Sequence, residues 1–224
     1  MAGNASAPEK PLEWGRLRPL RRRTWFARPP EQVAQELLGM LLIRADSTSV
    51  CAGRIVETEA YLAANDPACH AARGPTRKNA SMFGPAGHAY VYAIHSRWCM
   101  NVVTEREGRG SAVLIRAIEP LAGIERMAAR RGMRDPLLLT RGPARLCEAL
   151  GIDREFDGWD LTRGETLWLA RDPRRAKQPG NVLRSARIGV TSAHELLLRY
   201  FDGDNRFVSG HRRGLPMSIH NTEA

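Results

Sequence analysis

The sequence predicts an α+β fold, a single domain built on a mainly antiparallel β-sheet with flanking helices. Strand-like runs dominate the chain, and short turns rather than crossover helices connect neighbouring runs. The length of 224 residues suffices for one well-buried core and is short for two. We therefore expect one domain over residues 21–215, between a basic disordered arm at 1–20 and a tail at 216–224.

The individual elements follow from periodicity and from helix-ending glycines. Pro30 suits the start of a helix, and residues 50–61 alternate as a half-buried strand does. Two β-rich runs around the polar turn at residues 95–97 indicate a hairpin. The expected strands lie at 40–43, 50–61, 88–94, 98–103, 111–118 and near 166–170, 185–190 and 206–209; the expected helices start at Pro30 and cover 121–131 and 143–150.

The charge balance points to a polyanionic partner without deciding on one. Lys and Arg number 34 against 24 Asp and Glu, which gives a net charge of +10. Such a field attracts nucleic acid, although a solvated basic surface explains the charge equally well. Nearly all of the positive charge is arginine, since the lysines are only Lys10, Lys78 and Lys177.

Several classes of protein are disfavoured. The four cysteines have no paired spacing, which favours a reducing, cytoplasmic compartment, and no apolar stretch is long enough to span a membrane. The serine-hydrolase elbow, the phosphate-binding P-loop and the zinc-binding patterns are missing from the sequence. We therefore expect no metal and no cofactor.

Potentially convergent polar side chains define a candidate site. Glu57, Glu59 and Tyr61 share one face of their strand, because side chains alternate along a strand. Arg116 ends a buried apolar run and needs a carboxylate partner, for which Glu59 or Glu119 could serve. Taken alone, the pattern of Glu57, Glu59 and Tyr61 favours a solvent-facing side of a strand over a polar pocket. The other members of the candidate cluster are His70, Tyr90, Tyr92 and Asn101.

Seven co-linear motifs resemble the 3-methyladenine (alkyladenine) DNA glycosylase family. The resemblance spans residues 22 to 213, with the motifs in order and at near-family spacing. The motifs are 54–62 (RIVETEAYL), 66–70 (DPACH), 82–92 (MFGPAGHAYVY), 99–102 (CMNV), 114–121 (LIRAIEPL), 142–146 (GPARL) and 187–190 (RIGV). Several ordered motifs are far more specific than any single short match. The family resemblance also implies a strongly curved sheet, similar to the C-terminal domain of formyltransferases.

The resemblance implies a role for each candidate residue. Glu59 corresponds to the family's general base, and Arg116 to the arginine that helps to hold the attacking water and the carboxylate. The flipped purine would stack between Tyr61 and Tyr92, with His70 on its other side. Asn101 would lie at the pocket floor and disfavour normal guanine. The implied activity is removal of damaged purines such as 3-methyladenine, 7-methylguanine, hypoxanthine or ethenoadenine from double-stranded DNA.

The resemblance also implies how the protein would meet DNA. Family members carry a tyrosine wedge at the hairpin tip, but here the hairpin is one residue short and His95 takes that place. We therefore expect that the flipped state is less populated, or that Ile94 or Arg97 shares the wedge role. Candidate phosphate contacts, chosen by neighbourhood, are Arg73, Arg77, Lys78 and Arg199.

The lysine distribution and the pocket residues bear on the type of activity. Because no lysine falls in the pocket motifs, a monofunctional enzyme that leaves the strand intact is expected. A monomer is expected. Two alternatives stay open at this point: a non-catalytic DNA-lesion binder on the same scaffold, and an RNA-binding accessory module.

Overall fold

A computed structural model describes residues 12–174, 179–211 and 213–216, and the nine strands found there form one sheet. Every strand pair in the sheet is antiparallel. The main path runs β3-β4-β5-β2-β8-β7-β9, and β1 pairs with both β2 and β6. The strands are β1 Leu41–Ala45, β2 Val50–Tyr61, β3 Ala89–Ile94, β4 Arg97–Thr104, β5 Ser111–Ala122, β6 Leu167–Ala170, β7 Val182–Ser185, β8 Arg199–Asp202 and β9 Leu215–Pro216. The predicted mixed fold with a mainly antiparallel sheet is confirmed.

Short helices cover one face of this sheet and form the main core with it. Leu37 beside α2 and Leu146 of α5 are fully buried against strand residues such as Ile55 and Ile115. The side chain of Thr58 donates a hydrogen bond of 2.8 Å to the carbonyl of Ala34 in α2. The helices are α1 Arg23–Phe26, α2 Pro30–Glu36, α3 Ile124–Arg131, α4 Pro136–Leu139 and α5 Pro143–Leu150.

An irregularity in β2 determines which side chains face away from the helices. The register between β2 and β5 shifts on both sides of Glu57, as at a β-bulge. Ile55 and Ala60 lie in the helix-covered core, whereas Val56 packs in a separate cluster with Phe201. Glu57 and Glu59 consequently occupy the face opposite the helices. The predicted common face of Glu57, Glu59 and Tyr61 is confirmed by their shared hydrogen-bond network.

The predicted elements agree best in the first two thirds of the chain. Strand β2 and helix α5 have the predicted bounds, and β3 and β4 form the predicted hairpin. Helix α3 begins later than expected, because β5 continues to Ala122 and Gly123 turns the chain with a φ of 70°.

Two strand predictions in the last third are wrong. The strand expected near 185–190 is β7 at Val182–Ser185, because the chain beyond it leaves the sheet and bonds to the candidate site. Residues 206–209 form no strand. Arg206 and Phe207 lie in a turn, where the side chain of Asn205 accepts a hydrogen bond from the Phe207 N–H. Val208 is buried by packing rather than by strand pairing.

The expected disordered arm is contradicted for residues 12–20, and residues 1–11 lie outside the described part of the chain. Leu12, Trp14 and Leu17 pack against the apolar cluster of Leu41, Ile43, Ala52 and Ala170. The Leu20 N–H donates to the Leu169 carbonyl at 2.9 Å, so this segment extends the edge of the sheet at β6. The packing of residues 12–20 could not be predicted from the sequence, because their apolar side chains are interspersed with arginine and proline.

The helices of residues 12–174, 179–211 and 213–216 are all too short or too polar to cross a membrane. Of the expected C-terminal tail, Pro216 pairs with β7 as part of β9, and residues 217–224 lie outside the described residues.

Candidate active site

Glu59 and Arg116 lie side by side on the open face of the central strands. The side chain of Glu59 is fully buried and that of Arg116 is 8% exposed. Arg116 donates from Nη1 to Oε2 of Glu59 at 3.2 Å. Burial alone would lower the pKa of Arg116, but the charges of Glu59 and Glu57 outweigh this effect and raise it. Arg116 therefore stays charged beside the carboxylate.

Glu57 holds Arg116 in place through a buried hydrogen-bond network. Its Oε1 accepts hydrogen bonds from Nε of Arg116 at 3.0 Å and Nε of Arg199 at 2.7 Å, and its Oε2 accepts the Ser209 N–H at 2.7 Å. Both oxygens of Glu57 are thus occupied by donors. The expected choice between Glu59 and Glu119 as the partner of Arg116 falls to Glu59, with Glu57 as a second partner, while Glu119 pairs with Arg54.

Arg199 is not a phosphate contact, and that prediction is corrected here. Its side chain has no exposed surface, and its guanidinium donates to Glu57, to Ser185 and to the Ser209 and His211 carbonyls. A guanidinium with its donors committed inside the protein cannot reach a DNA backbone. The polar neighbourhood that suggested Arg199 is a buried support for Glu57.

Tyr61 and Ile188 complete the surroundings of the Glu59 carboxylate. The Tyr61 hydroxyl donates to Oε2 of Glu59 at 2.9 Å, and the Ile188 N–H donates to Oε1 at 2.7 Å. The pKa of Tyr61 is raised, chiefly by burial and also by the negative charge of Glu59. The phenol therefore remains a hydrogen-bond donor. Together with Arg116, these contacts hold the carboxylate in a fixed orientation.

A buried ion pair fixes the segment that carries Ile188. Arg187 contacts both oxygens of Asp66 at 2.6 Å, and neither side chain is exposed. The guanidinium also lies over the Tyr61 ring, 4.6 Å from its centroid. One arginine thus ties the loop after β2, the ring of Tyr61 and the backbone donor of Ile188 together.

Tyr92, Tyr90 and His70 form an aromatic cluster beside this carboxylate. Tyr90 and Tyr92 stack with centroids 5.3 Å apart, and His70 meets Tyr92 edge-on at 4.5 Å. Nδ1 of His70 lies 2.8 Å from the Tyr90 hydroxyl. Burial lowers the pKa of His70, and mainly through burial the pKa values of both tyrosines are raised. The cluster is therefore uncharged at neutral pH.

Asn101 is buried on β4, opposite Tyr90 in the register of the hairpin. Its side-chain amide donates to the Tyr90 carbonyl at 3.0 Å. Asn101 pairs with Leu114 of β5, which in turn pairs with Glu59. The side chains predicted from sequence as a cluster thus come from four adjacent strands, β3, β4, β5 and β2, and one loop.

The chain is similar to known proteins of one family. The sequence profile of the methylpurine-DNA glycosylase family matches residues 24–206. The chain belongs to this family. Relatives named "Putative 3-methyladenine DNA glycosylase" occur in Methanoculleus marisnigri, at 47% identity over 83% of this chain and 96% of the relative, and in Rhodopirellula baltica, at 45% identity over 90% and 89%. A third, from Carboxydothermus hydrogenoformans, is 43% identical over 84% of this chain and 97% of its own length.

The hairpin of this family member ends in a two-residue turn. His95 and Ser96 have positive φ values of 47° and 64°, which are typical of a tight hairpin turn. Ile94 is 46% exposed at the tip, and His95 and Arg97 are exposed as well. The three predicted wedge residues therefore stand together at the protruding end of β3 and β4.

The remaining predicted phosphate contacts are accessible. Arg73, Arg77 and Lys78 are exposed in the loop between β2 and β3, which also carries His70. Lys78 is remote in sequence from every residue of the carboxylate site, and Lys10 and Lys177 lie outside the described residues.

Within residues 12–174, 179–211 and 213–216, no group of three or more His, Cys, Asp or Glu is arranged to hold a metal ion. The four cysteines are buried and unpaired with one another. Burial raises the pKa of the Cys69 thiol to about 11, so this side chain stays protonated and packs as a small apolar residue.

Three parts of the site could not be predicted from the sequence. Glu57 had no predicted role, Arg199 was expected on the surface, and residues 187–190 had no predicted function. The Ile188 contact is made by a backbone N–H, so the residue type carries no signal for it. The motif at 187–190 marked the segment, and only the fold shows that it reaches Glu59.

Proposed function

We propose that this protein is a monofunctional DNA glycosylase that hydrolyses the N-glycosidic bond of damaged purines flipped out of double-stranded DNA. One observation carries the proposal. The Glu59 carboxylate is buried between a charged Arg116, the Tyr61 hydroxyl and the Ile188 N–H, directly beside an aromatic cluster. Membership of the methylpurine-DNA glycosylase family supplies the substrate class.

In the proposed reaction Glu59 acts as the general base. The C1′–N9 bond breaks and its electron pair leaves with the purine, while the sugar gains oxocarbenium character. A water molecule adds to C1′ and transfers its proton to Glu59. The carboxylate stabilises the positive sugar until the water adds. Arg116 and Ile188 prevent the carboxylate from rotating, and Arg116 helps to hold the attacking water.

The aromatic residues suit an extruded, cationic base. A target inside a stacked duplex must leave the stack before side chains can reach its glycosidic bond. Alkylation at N3 or N7 gives the purine a positive charge, which is attracted to tyrosine faces. Tyr61 and Tyr92 are the proposed walls, with His70 beside them and Asn101 at the floor. An uncharged His70 avoids repelling such a cation.

The proposed activity leaves the DNA strand intact. Strand cleavage by a glycosylase requires an amine that forms a Schiff base with the sugar. The carboxylate, arginine, aromatic rings and amide of the site supply no such amine. The product should therefore be an unbroken abasic strand, which alkali then cleaves.

Single-turnover release of hypoxanthine and 3-methyladenine from duplex DNA tests the proposal. We expect wild-type protein to release at least one of them and Glu59→Gln to be slower by about 10²- to 10⁴-fold, the usual contribution of a general base. Release that survives Glu59→Gln would remove Glu59 from the mechanism. Tight lesion binding without release of any damaged purine would support the alternative, a non-catalytic lesion binder.

A further inference from the structure

An open groove lies along the N-terminal segment (residues 12–22), away from the carboxylate site. Its volume is about 1020 Å³, and residues 15–22, Trp25 and Arg171 line it. None of these residues contacts Glu59 or the aromatic cluster. We call it the arginine groove after its charged members, Arg16, Arg18, Arg21, Arg22 and Arg171.

Within residues 12–174, 179–211 and 213–216, little negative charge compensates the positive charge of the arginine groove. Arg18, Arg21 and Arg171 are exposed, and Arg16 is the only groove arginine with an ion pair among the described residues, to Glu13 at 2.9 Å. Cations held this close repel one another unless an anion neutralises them. Arginine is also the side chain whose planar fork best fits phosphate oxygens.

The groove is presented by fixed backbone rather than by a free arm. The backbone of Pro19 and Leu20 pairs with β6, and Leu17 packs on the apolar cluster that contains Ala52 of β2. Because these contacts hold the segment in place, its arginines need little further ordering to bind a ligand.

The groove lies at the β6 edge of the sheet and touches both of its faces. Leu17 packs on the face of Ala52, whereas Leu20 and Trp25 pack against the helix-covered core. Cys51 and Ile55 face the helices, and Ala52 faces the opposite side, because side chains alternate along a strand. The bulge at Glu57 then places Glu59 on the face of Ala52, although their numbers differ in parity. Seven residues separate them along β2, which corresponds to about 23 Å at ~3.3 Å per residue.

We propose that the arginine groove is a second phosphate-binding site, which holds the backbone of the lesion-bearing duplex at least about seven base pairs from the flipped purine, at ~3.4 Å of rise per base pair. This inference rests on the proposed duplex DNA substrate. The clustered arginines suit a phosphate backbone, and the packing of Leu17 on the face of the sheet that carries Glu59 favours the same duplex over a separate one. The groove would add affinity without touching the chemistry.

Charge removal with a matched control tests the groove. The groove variant is R18Q/R21Q/R171Q, and the control R134Q/R145Q/R154Q removes three exposed arginines that do not line the groove. Each variant loses three positive charges from the net +10 and keeps +7. Binding is measured by fluorescence anisotropy to duplexes with a central, non-cleavable tetrahydrofuran abasic site, of about 11 or about 31 base pairs, so that only the longer one spans the distance to the groove.

We expect the groove variant to bind the long duplex at least about tenfold more weakly than wild type, with a salt slope smaller by about 2 to 3, while binding to the short duplex is unchanged. Wild-type affinity of the groove variant for the long duplex would refute the proposal. An equal loss in the control variant, or an equal loss on the short duplex, would refute it too.

Two further measurements separate the sources of phosphate and the two proposals. If wild type saturated with the short duplex bound a second, undamaged duplex through the groove arginines, the same-duplex placement would be wrong. Base release is measured separately on short hypoxanthine and 3-methyladenine duplexes, where the groove variant should match wild type. Absence of release of both bases, with groove-dependent binding intact, would overturn the proposed function and leave the second site standing.

Discussion

Two carboxylate–arginine pairs show how burial determines the contribution of a single residue. Asp66 and Arg187 are both fully buried, with contacts of 2.6 Å. Glu105 and Arg109 are 25% and 46% exposed, at 3.3 Å. A solvated pair is screened by water, whereas removing one member of a buried pair leaves a charge without compensation.

Asp66→Asn is therefore expected to lower the free energy of unfolding by about 3–5 kcal/mol. The exposed counterpart, Glu105→Gln, is expected to lower it by no more than about 1 kcal/mol. Urea denaturation of both variants against wild type measures the difference. Because Arg187 also holds Tyr61 and the segment of Ile188, base release by Asp66→Asn should be slowed even where it is folded. Equal stability of the two variants would contradict this assignment.

The stability of the protein should depend on pH through His70. Burial lowers the pKa of His70 below its usual 6.5, so the unfolded chain binds a proton more readily than the folded one. This contribution to stability is complete above about pH 6.5 and is lost as pH falls toward the folded pKa. His70→Gln should therefore flatten the stability profile just below pH 6.5, as followed by urea denaturation at a series of pH values.

A carboxylate provides an internal comparison for that profile. Burial opposes ionisation of Asp172, but hydrogen bonds from Arg174 and Arg54 outweigh it and lower the pKa of Asp172 to about 2. Its stabilisation is lost only as pH falls from about 4 toward 2, a separate window. An unchanged slope near pH 6 in His70→Gln would show that His70 titrates alike in both states.

At the level of elements, local sequence patterns predicted the strands and helices that depend on local contacts. Strand β2 follows its alternation, and α5 begins at Pro143 and ends before Gly151 as its sequence indicates. Strand β8 was missed because its four residues pair with β2, which lies about 140 residues earlier in the chain. Arg199 on that strand was misplaced for the same reason. The face of the sheet that carries Glu59 could be predicted from the motifs. The residues that support it, such as Arg199, are brought there by strand pairing between distant parts of the chain.

The hairpin between β3 and β4 carries a prediction about DNA opening. If His95 takes the place of the wedge tyrosine expected from the family resemblance, a larger ring should fill more of the gap left by a flipped nucleotide. His95→Tyr is expected to tighten binding to a lesion duplex by about fivefold, or ~1 kcal/mol, a modest fraction of the stacking energy of one base. Equilibrium binding to a hypoxanthine duplex measures this.

The matched control for the hairpin is Ser96→Gly. Glycine adopts the positive φ of residue 96 without strain and adds no ring, so it changes the turn but not the wedge. Lesion affinity should stay near the wild-type value in this variant and fall in His95→Ala. Unchanged affinity in His95→Tyr would mean that Ile94 or Arg97 fills the gap instead.

At the scale of the whole molecule, residues 12–22 belong to the folded domain rather than to a flexible arm. Leu12, Trp14 and Leu17 cover an apolar cluster on β1, β2 and β6 that would otherwise face solvent. Partial burial of three such side chains should contribute about 2 kcal/mol or more. The segment that forms the arginine groove therefore also closes the core at the edge of the sheet.

Two truncations separate this structural role from the proposed role in DNA binding. Removal of residues 1–20 should lower the melting temperature, measured without DNA, by about 4–8 °C, because ~1 kcal/mol corresponds to about 2–4 °C in a chain of this size. Removal of residues 1–11 keeps the packed side chains of Leu12, Trp14 and Leu17 and should leave the melting temperature nearly unchanged. Equal melting temperatures for both truncations would mean that the segment adds nothing to the core. A stability loss limited to the longer truncation, with wild-type stability in R18Q/R21Q/R171Q, would show that the apolar residues hold the segment and leave its arginines free for phosphate.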